Sequence, residues 1–541
     1  MSKNHWLKAA CTAMAGVLMI GAASGCTGGG KNGPGDASGG SSASKTVVVG
    51  ASTDLSTLDP GAAYEVYANM ITYATYDMLF RIEGEDIENP KPSLTTEEWS
   101  LDESGKVYTF PLRQDVKFVS GNPLTSKDVV WSITRVMNLK SNTAAHVAGI
   151  DKIEAPDEYT VKITLKEKDA SFLTKLASNA FCVLDSELVK QNGGTDAADA
   201  SKTDKAQTYL DQHSAGSGPF VLKSWTKGTE LVLEKNKEYW GETGNVEKII
   251  LKEIPDTNTQ IQMIQKGEID IALSLNQDNV GQLEGNSDVA IKRGLTAQMT
   301  FLLMNNDPKI GKEMANPDVQ QAVRYAIDYK GLKAMCGEGA VLPLTFVQQG
   351  FSGAKTRDDN YQDIEKAKAL MKKAGYEKGF TIELNAANYE TAGMKWTDIA
   401  QKIKNDLAQI GITVNIKTSE FSVVIDPYRN GEVPFLLMHW SPDYFDINNQ
   451  LAFLPGELVG ERAKWSADGH EDMLELGKKI EGESDKAKRA QYSEELQDMV
   501  AENSPYAFLL EHPQVFASRT TLDNVLYNDL SKIQLAQLTV K

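Results

Sequence analysis

The sequence predicts an α/β protein divided among two or three lobes. Strand-like and helix-like hydrophobic periods alternate along the chain, which is the pattern of helices packed on sheets. The chain has 541 residues, and the roughly 500 left after a leader exceed what one core holds. Its composition, 41% hydrophobic and 24% charged, is ordinary for globular protein.

Taken in order, Thr46-Val47-Val48-Val49 reads as a buried strand closed by Gly50. Val107 to Leu112 and Tyr159 to Leu165 alternate like half-buried strands. Ser126 to Met137 reads as a helix capped by Ser126, with Asp128 in its first turn. Phe172 to Ala177 is a shorter helix, and the acidic, polar Gly193 to Asp211 reads as a surface insertion. Thr257 to Lys266 has Ile261 and Ile264 at helical spacing and Gly267 as terminator, with Ile269-Asp270-Ile271 as the next strand. Further helices are expected at Asp318 to Asp328, Asp363 to Ala374 (stopped by Gly375) and Thr397 to Ile410 (ended by Gly411). The strand Ile412 to Ile416 follows, then a last strong helix, Ser493 to Glu502, before Pro505 and the apolar run Tyr506 to Leu510. Arg324 and Asp328, four apart, are placed to pair across a helical turn.

The N-terminus reads as a targeting segment. Lys3, His5 and Lys8 precede an apolar run from Ala9 to Ala23, shorter than a membrane span. Ala22-Ala23-Ser24-Gly25 then leads into Cys26, the order of a lipobox in which the cysteine sulfur takes a diacylglycerol and residues 1–25 are removed. Two acyl chains satisfy the two-signal rule for stable anchoring. Residues 26–44, rich in Gly and Ser, form a flexible tether with a reach of roughly 24 Å. The protein is thus expected outside the cytoplasm, held at the membrane by lipid on Cys26.

The chain carries 56 Lys+Arg against 74 Asp+Glu, a formal charge of −18. Removing the leader, with its two lysines and no acid, takes this to about −20. Such a balance opposes binding to nucleic acid and to anionic lipid. In the body only Cys182 and Cys336 remain, far apart and without metal-ligand spacing, and they read as buried inert thiols.

Catalytic signatures are missing. There is no G-x-x-x-x-G-K-S/T loop for nucleotide phosphates and no G-x-S-x-G elbow. His470-Glu471 lacks the second histidine of a zinc protease, and Ser224-Trp225-Thr226-Lys227 lacks the partner motifs of penicillin-recognising enzymes. No catalytic residue, metal site or cofactor is predicted.

Several segments, in a fixed order, carry a resemblance. They are Thr57-Leu58-Asp59-Pro60, Tyr76 to Phe80, Lys106 to Phe118, Gly121 to Val129, Gly216-Ser217-Gly218-Pro219-Phe220, Lys237 to Trp240, Lys266 to Asp270, Val323 to Asp328 and Ala367 to Tyr376. Together they resemble the peptide-binding family (family 5, the dipeptide, oligopeptide and nickel class) of extracellular solute receptors for ABC importers. The resemblance implies a two-lobed periplasmic-binding-protein-like fold with a hinge and an inserted third α/β domain. It implies lobe one at 45–81, 209–296 and 511–541, the insert at 82–208, and lobe two at 297–510. It implies capture of a solute, foremost a short peptide, in the interlobe cleft, and delivery by a monomeric receptor to a membrane permease and its ATPase. Gly216 and Gly218 are read as permitting a tight turn before the strand at Phe220.

In peptide-binding members a Trp-x-x-Asp stretch supplies an aspartate for the peptide α-ammonium. The match here is Trp440-Ser441-Pro442-Asp443-Tyr444, which makes Asp443 the implied anchor, with Trp440, Tyr444, Phe445 and His439 as neighbouring pocket candidates. A carboxylate meeting an ammonium in a closed cleft forms a charge-assisted hydrogen bond. Two departures matter. The family often continues Asp-Pro where this chain has Asp446-Ile447, and Leu384 to Trp396 holds no arginine for a dipeptide carboxylate, only Lys395. These favour longer peptides held through backbone hydrogen bonds. An oligosaccharide site would lean on aromatic platforms, a metal-chelate site would recruit a histidine such as His439, and a sensor would present its ligand to a signalling partner. The sequence leaves these alternatives open.

Overall fold

The β-branched run that begins at Thr46 becomes the strand Thr46–Ala51 of a seven-stranded sheet. The computed structural model describes residues 45–53 and 55–541; the leader 1–25, Cys26 and the tether to 44 lie outside the described residues. Thr46–Ala51 runs parallel to Lys248–Glu253 on one side and to Ile271–Leu275 on the other. Gly50 lies within this strand and does not close it. The sheet order is Val289–Gly294, Gln514–Arg519, Ile271–Leu275, Thr46–Ala51, Lys248–Glu253, Glu230–Lys235, Phe220–Thr226. The strand expected at Ile269 starts instead at Ile271, because the Asp270 carboxylate accepts from the Val48 N–H at 2.8 Å and shapes the turn before it.

A five-stranded sheet has the order Ile412–Ser419, Phe380–Ala387, Phe435–Trp440, Met299–Met304, Tyr506–Glu511. Its first three strands are parallel, its last two pair antiparallel. Every residue of Met299–Met304 and Tyr506–Glu511 is buried, as strands covered on both faces require. A four-stranded antiparallel sheet, Ser100–Leu101, Val107–Pro111, Thr160–Leu165, Ile150–Asp157, packs against the helix Ser126–Leu139. Thr125, not Ser126, caps that helix, in a capping box with Asp128 whose carboxylate accepts the Thr125 N–H at 3.0 Å. The Ser126 hydroxyl turns to the carbonyl of Asp157.

The chain passes between the seven- and five-stranded sheets twice, from Gly294 to Met299 and from Glu511 to Gln514. The two passages run side by side. The His512 N–H donates to the Gln298 carbonyl at 3.0 Å, and the Thr296 hydroxyl donates to the His512 carbonyl. No helix among the described residues is long and apolar enough to cross a membrane.

Three expectations are corrected. The helix begun at Pro317 stops at Ala326 because Ile327 is extended, and Asp328 caps the next helix, Tyr329–Cys336. Asp328 therefore pairs with Lys402 at 2.8 Å. Arg324 instead donates to the Tyr506 and Glu502 carbonyls, at 3.0 and 3.3 Å, where the helix Lys486–Asn503 ends. The segment 193–211 is no mere surface insertion, since Ala200, Ala206 and Leu210 are buried and Asp204 forms a buried ion pair. Gly216 and Gly218 serve close approach rather than turn geometry. A Cβ at Gly218 would lie 2.5 Å from the Thr75 carbonyl carbon, and one at Gly216 would lie 2.4 Å from the Thr75 oxygen. Gly218→Ala is expected to cost about 1–3 kcal/mol through overpacking. Urea unfolding checks this, and an unchanged midpoint would mean the neighbouring backbone yields freely. Cys182 and Cys336 are both buried and unbridged.

Candidate functional site

Parallel strands of an open α/β sheet place their carboxyl ends along one edge, where ligands bind. Here Thr46–Ala51, Lys248–Glu253 and Ile271–Leu275 deliver Ser52, Pro255 and Asn276 to one wall of a cavity of about 590 Å³. The opposite wall is the segment Asn388 to Lys395 that follows the strand Phe380–Ala387 of the other sheet. Gln298, on a passage between the sheets, and Lys532, its ammonium held by Asp529, line the same space. A volume of this size is that of a small-molecule pocket.

A smaller cavity of about 140 Å³ adjoins it, sharing Val66 and Gln298. Asp443 and Phe445 line this recess, along with Tyr64, Asn69 and His146. Asp443 follows the strand Phe435–Trp440, and its N–H donates to Asn449 Oδ1 at 3.1 Å. Tyr64, just ahead of the helix Val66–Thr75, donates its phenol O–H to Asp443 Oδ1. Burial, then the Asp443 charge, push the Tyr64 phenol well above its ordinary range. Asp446, the departure from the family pattern, accepts from Arg489 and from the Asn448 N–H at 2.9 Å, and so braces the loop that carries Asp443.

Of the other sequence candidates, His439, Trp440 and Tyr444 do not line this recess. Along an extended strand neighbouring side chains point to opposite faces. His439 lies among Tyr389, Trp396 and Phe421 at 5.3, 5.5 and 6.0 Å, and Trp440 sets its ring edge-on to Phe453 at 5.2 Å. Burial pushes the His439 imidazole down to about 4, so it stays neutral. Tyr444 lies under the Lys175 ammonium, 4.5 Å from its ring centre, and 6.0 Å from His146. Phe445 stacks on Phe351 at 6.4 Å. Of the five, Asp443 and Phe445 meet in the recess.

Tyr64, Asn69 and His146 were missed by sequence reasoning because they come from separate segments with no local pattern. His146 Nδ1 lies 2.8 Å from Ser178 Oγ, while its Nε2 is buried without a protein partner, as is Asn69 Oδ1. Burial pushes the His146 imidazole down to about 4; the Asp443 charge opposes this and Lys175 reinforces it. Among the described residues no group of three His, Cys, Asp or Glu side chains is arranged to hold a metal ion. A third cavity, about 530 Å³ and lined by Arg81, Arg113, Trp240 and Gln537, shares no residue with the cleft.

The model of the bacterial extracellular solute-binding proteins, family 5 (middle), matches residues 89–457. The chain belongs to this family. A family 5 relative, the "Probable D,D-dipeptide-binding periplasmic protein DdpA" of Escherichia coli (strain K12), is 25% identical over 494 residues, covering 90% of this chain and 92% of that protein. Among solved structures, HbpA2 from Haemophilus parasuis superposes with a TM-score of 0.80 at 23% identity, covering 92% of this chain and all of that one. The ABC transporter-associated periplasmic binding protein DppA from Helicobacter pylori, in complex with the peptide STSA, gives 0.71 at 23% identity, covering 92% and 98%. These likenesses establish the family 5 fold, two lobes joined by a hinge with a third α/β domain inserted. Family 5 chains are binding proteins, and this one is a solute-binding protein.

Proposed function

We propose that this receptor captures short peptides in the cleft, holds their N-terminal ammonium on Asp443, and delivers them to the permease and ATPase of an ABC importer. The observation that carries this reading is Asp443 lining a recess that shares Val66 and Gln298 with the larger cavity. An ammonium entering a low-dielectric recess needs an anionic partner. Names of family relatives, dipeptide-binding among them, point the same way. The receptor acts as a monomer without turnover, anchored outside the cytoplasm by lipid on Cys26. Lobe one takes 45–81, 209–296 and 511–541, the insert 82–208, and lobe two 297–510. Each large sheet drawing its strands from one of these sets, Glu511 excepted, supports that division.

Thermal unfolding of the soluble form from Thr27, with and without pooled peptides of two to ten residues, tests the function. A ligand at 100 times its dissociation constant stabilises the folded state by about 2.7 kcal/mol, so the midpoint should rise. Asp443→Ala should weaken peptide binding by about 2–5 kcal/mol, the cost of removing one partner of a buried charge pair. Unaltered affinity in that variant would remove Asp443 from the site. Metabolic labelling with a fatty acid, lost in Cys26→Ser, checks the anchor.

A further inference from the structure

The cavity wall supplied by the five-stranded sheet carries a tight hairpin. Glu390 pairs with Lys395 and Thr391 with Met394, so Ala392 and Gly393 alone form the turn. Their φ angles are 47° and 80°, both left-handed, as in the tightest hairpin turns. Glycine adopts this backbone freely. A left-handed alanine is strained, and such strain clusters at ligand clamps and switch regions. The base of the hairpin is fixed to its own sheet. Thr391 Oγ1 accepts the Trp396 indole N–H at 2.9 Å, and both residues are buried. The Trp396 N–H donates to the Tyr389 carbonyl at 3.0 Å, and the Asn388 N–H donates to the Ser419 carbonyl at 2.7 Å.

The tip of the hairpin meets the opposite wall. A Cβ added at Gly393 would collide with the Cβ of Asn276 and lie 3.2 Å from its Cγ. Asn276 follows the strand Ile271–Leu275 of the seven-stranded sheet, and its Oδ1 accepts the Asn279 N–H at 3.2 Å, which fixes the side chain. Gly393 and Asn276 both line the cavity of about 590 Å³, so their contact joins its two walls. The next residue, Gln277, makes a second crossing, with Nε2 donating at 2.8 Å to the carbonyl of Glu338, which follows the helix Tyr329–Cys336. We propose that the hairpin 390–395 is a strap whose tip seats on Asn276 when the walls meet, must lift off before they part, and so governs how fast a captured solute leaves. Gly393 is then required twice, for the left-handed turn and for the missing Cβ at the seat. The two requirements are separable. Strain in the turn is present in seated and parted molecules alike and acts on stability. The collision exists only in seated molecules and acts on release.

The inference rests on the cleft as the solute site and not on which solute it takes, so the test has one arm with a peptide probe and one without. In the first, the wild type, Gly393→Ala, Asn276→Gly and the double variant are loaded with pooled peptides of two to ten residues, and release after dilution is timed by mass spectrometry. Gly393→Ala is expected to release roughly tenfold faster than the wild type. The double variant, which clears the atoms the new Cβ would meet, should return to within about threefold of it. Glycine is an acceptable N-cap, so Asn276→Gly keeps its fold. In the second arm, hydrogen exchange without added peptide compares the amides of Thr391 to Lys395, which should exchange roughly fivefold faster in Gly393→Ala than in the wild type or the double variant. Thermal midpoints identify any variant that fails to fold. Gly393→Asn then replaces Gly393→Ala, since asparagine tolerates left-handed backbone. Where the wild type retains peptide, the release arm decides: a folded Gly393→Ala that releases like the wild type, or a double variant as fast as the single one, overturns the strap and leaves the peptide reading standing. If the wild type retains none, the peptide reading falls and the exchange arm decides, with equal rates in all four proteins overturning the strap.

Discussion

Replacing Arg135 with methionine should destabilise the protein by about 3–5 kcal/mol, the cost of stripping a buried ion pair of one partner. The guanidinium makes four hydrogen bonds. Two go to Asp59, at 2.9 and 2.7 Å, and two to Asp204, at 2.8 and 2.9 Å. The side chains of Arg135, Asp59 and Asp204 are 1%, 2% and 4% exposed. Without the arginine, two carboxylates would remain buried with no cation between them. The cost is structural as well, because the three residues come from the loop after the first strand, from the helix Ser126–Leu139 and from the segment 193–211. Burial raises the Asp204 carboxyl, but its bonds to Arg135 outweigh this and hold it below its usual range. Its contribution to stability is therefore complete above the ordinary carboxylate pKa of about 3.9 and is lost as the pH falls through the lower folded value. Urea unfolding at pH 7 measures the loss. A change under about 1 kcal/mol, as for exposed pairs, would refute the account, and Asp204→Asn should cost less because Asp59 still holds the guanidinium.

Glu511→Gln is expected to stabilise the protein at pH 8 and to flatten its pH dependence. Glu511 ends the strand Tyr506–Glu511, immediately before the second passage between the sheets. Its Oε2 accepts the Gln349 N–H at 3.0 Å, and its Oε1 is buried without a partner. Burial pushes its carboxyl up to about 8, with the Gln349 bond opposing. Between the unfolded value, about 4.3, and 8 the folded protein holds a proton that the unfolded chain has released. Stability therefore falls as the pH rises through this window, at about 1.4 kcal/mol per pH unit, and levels off above it. Over the window the loss is on the order of 5 kcal/mol. The amide has no proton to lose, so the difference in unfolding free energy between variant and wild type should grow steadily from pH 5 to 8. His512, pushed down to about 3 by burial and then by His439, gives the opposite slope below its unfolded pKa. That slope is common to both proteins and cancels in the difference. A constant difference across the range would show that Glu511 is ionised in the folded state.

The α/β class was legible because amphipathic helices and buried strands write their periods locally. Pro317–Ala326, Ile364–Lys373 and Trp396–Ala408 all fall where apolar spacing puts them, within two residues at each end. The errors arose where a side chain answers to a distant partner. Asp328 reads as an i+4 partner of Arg324 only if the helix continues, and the chain breaks at Ile327 so that Asp328 can cap the following helix. Gly193 to Asp211 looks polar and loose, yet Asp204 is drawn inside by an arginine more than sixty residues away. In the recess, the loop bearing Asp443 was visible through its Trp-x-x-Asp pattern. Tyr64, Asn69 and His146 carry no such pattern, since only the tertiary fold sets them around one carboxylate.

The bond between Tyr64 and Asp443 joins the loop ahead of the helix Val66–Thr75 to the loop after the strand Phe435–Trp440 of the five-stranded sheet, within the recess that both residues line. A hydrogen bond of this kind contributes about 1 kcal/mol, enough to shift an equilibrium between shut and parted molecules about fivefold. Only the parted fraction admits a solute, so capture is slowed in proportion to that fraction. The phenol thus trades speed of uptake for a lower population of gaping receptors, and it does so on the carboxylate that the cargo's ammonium must reach.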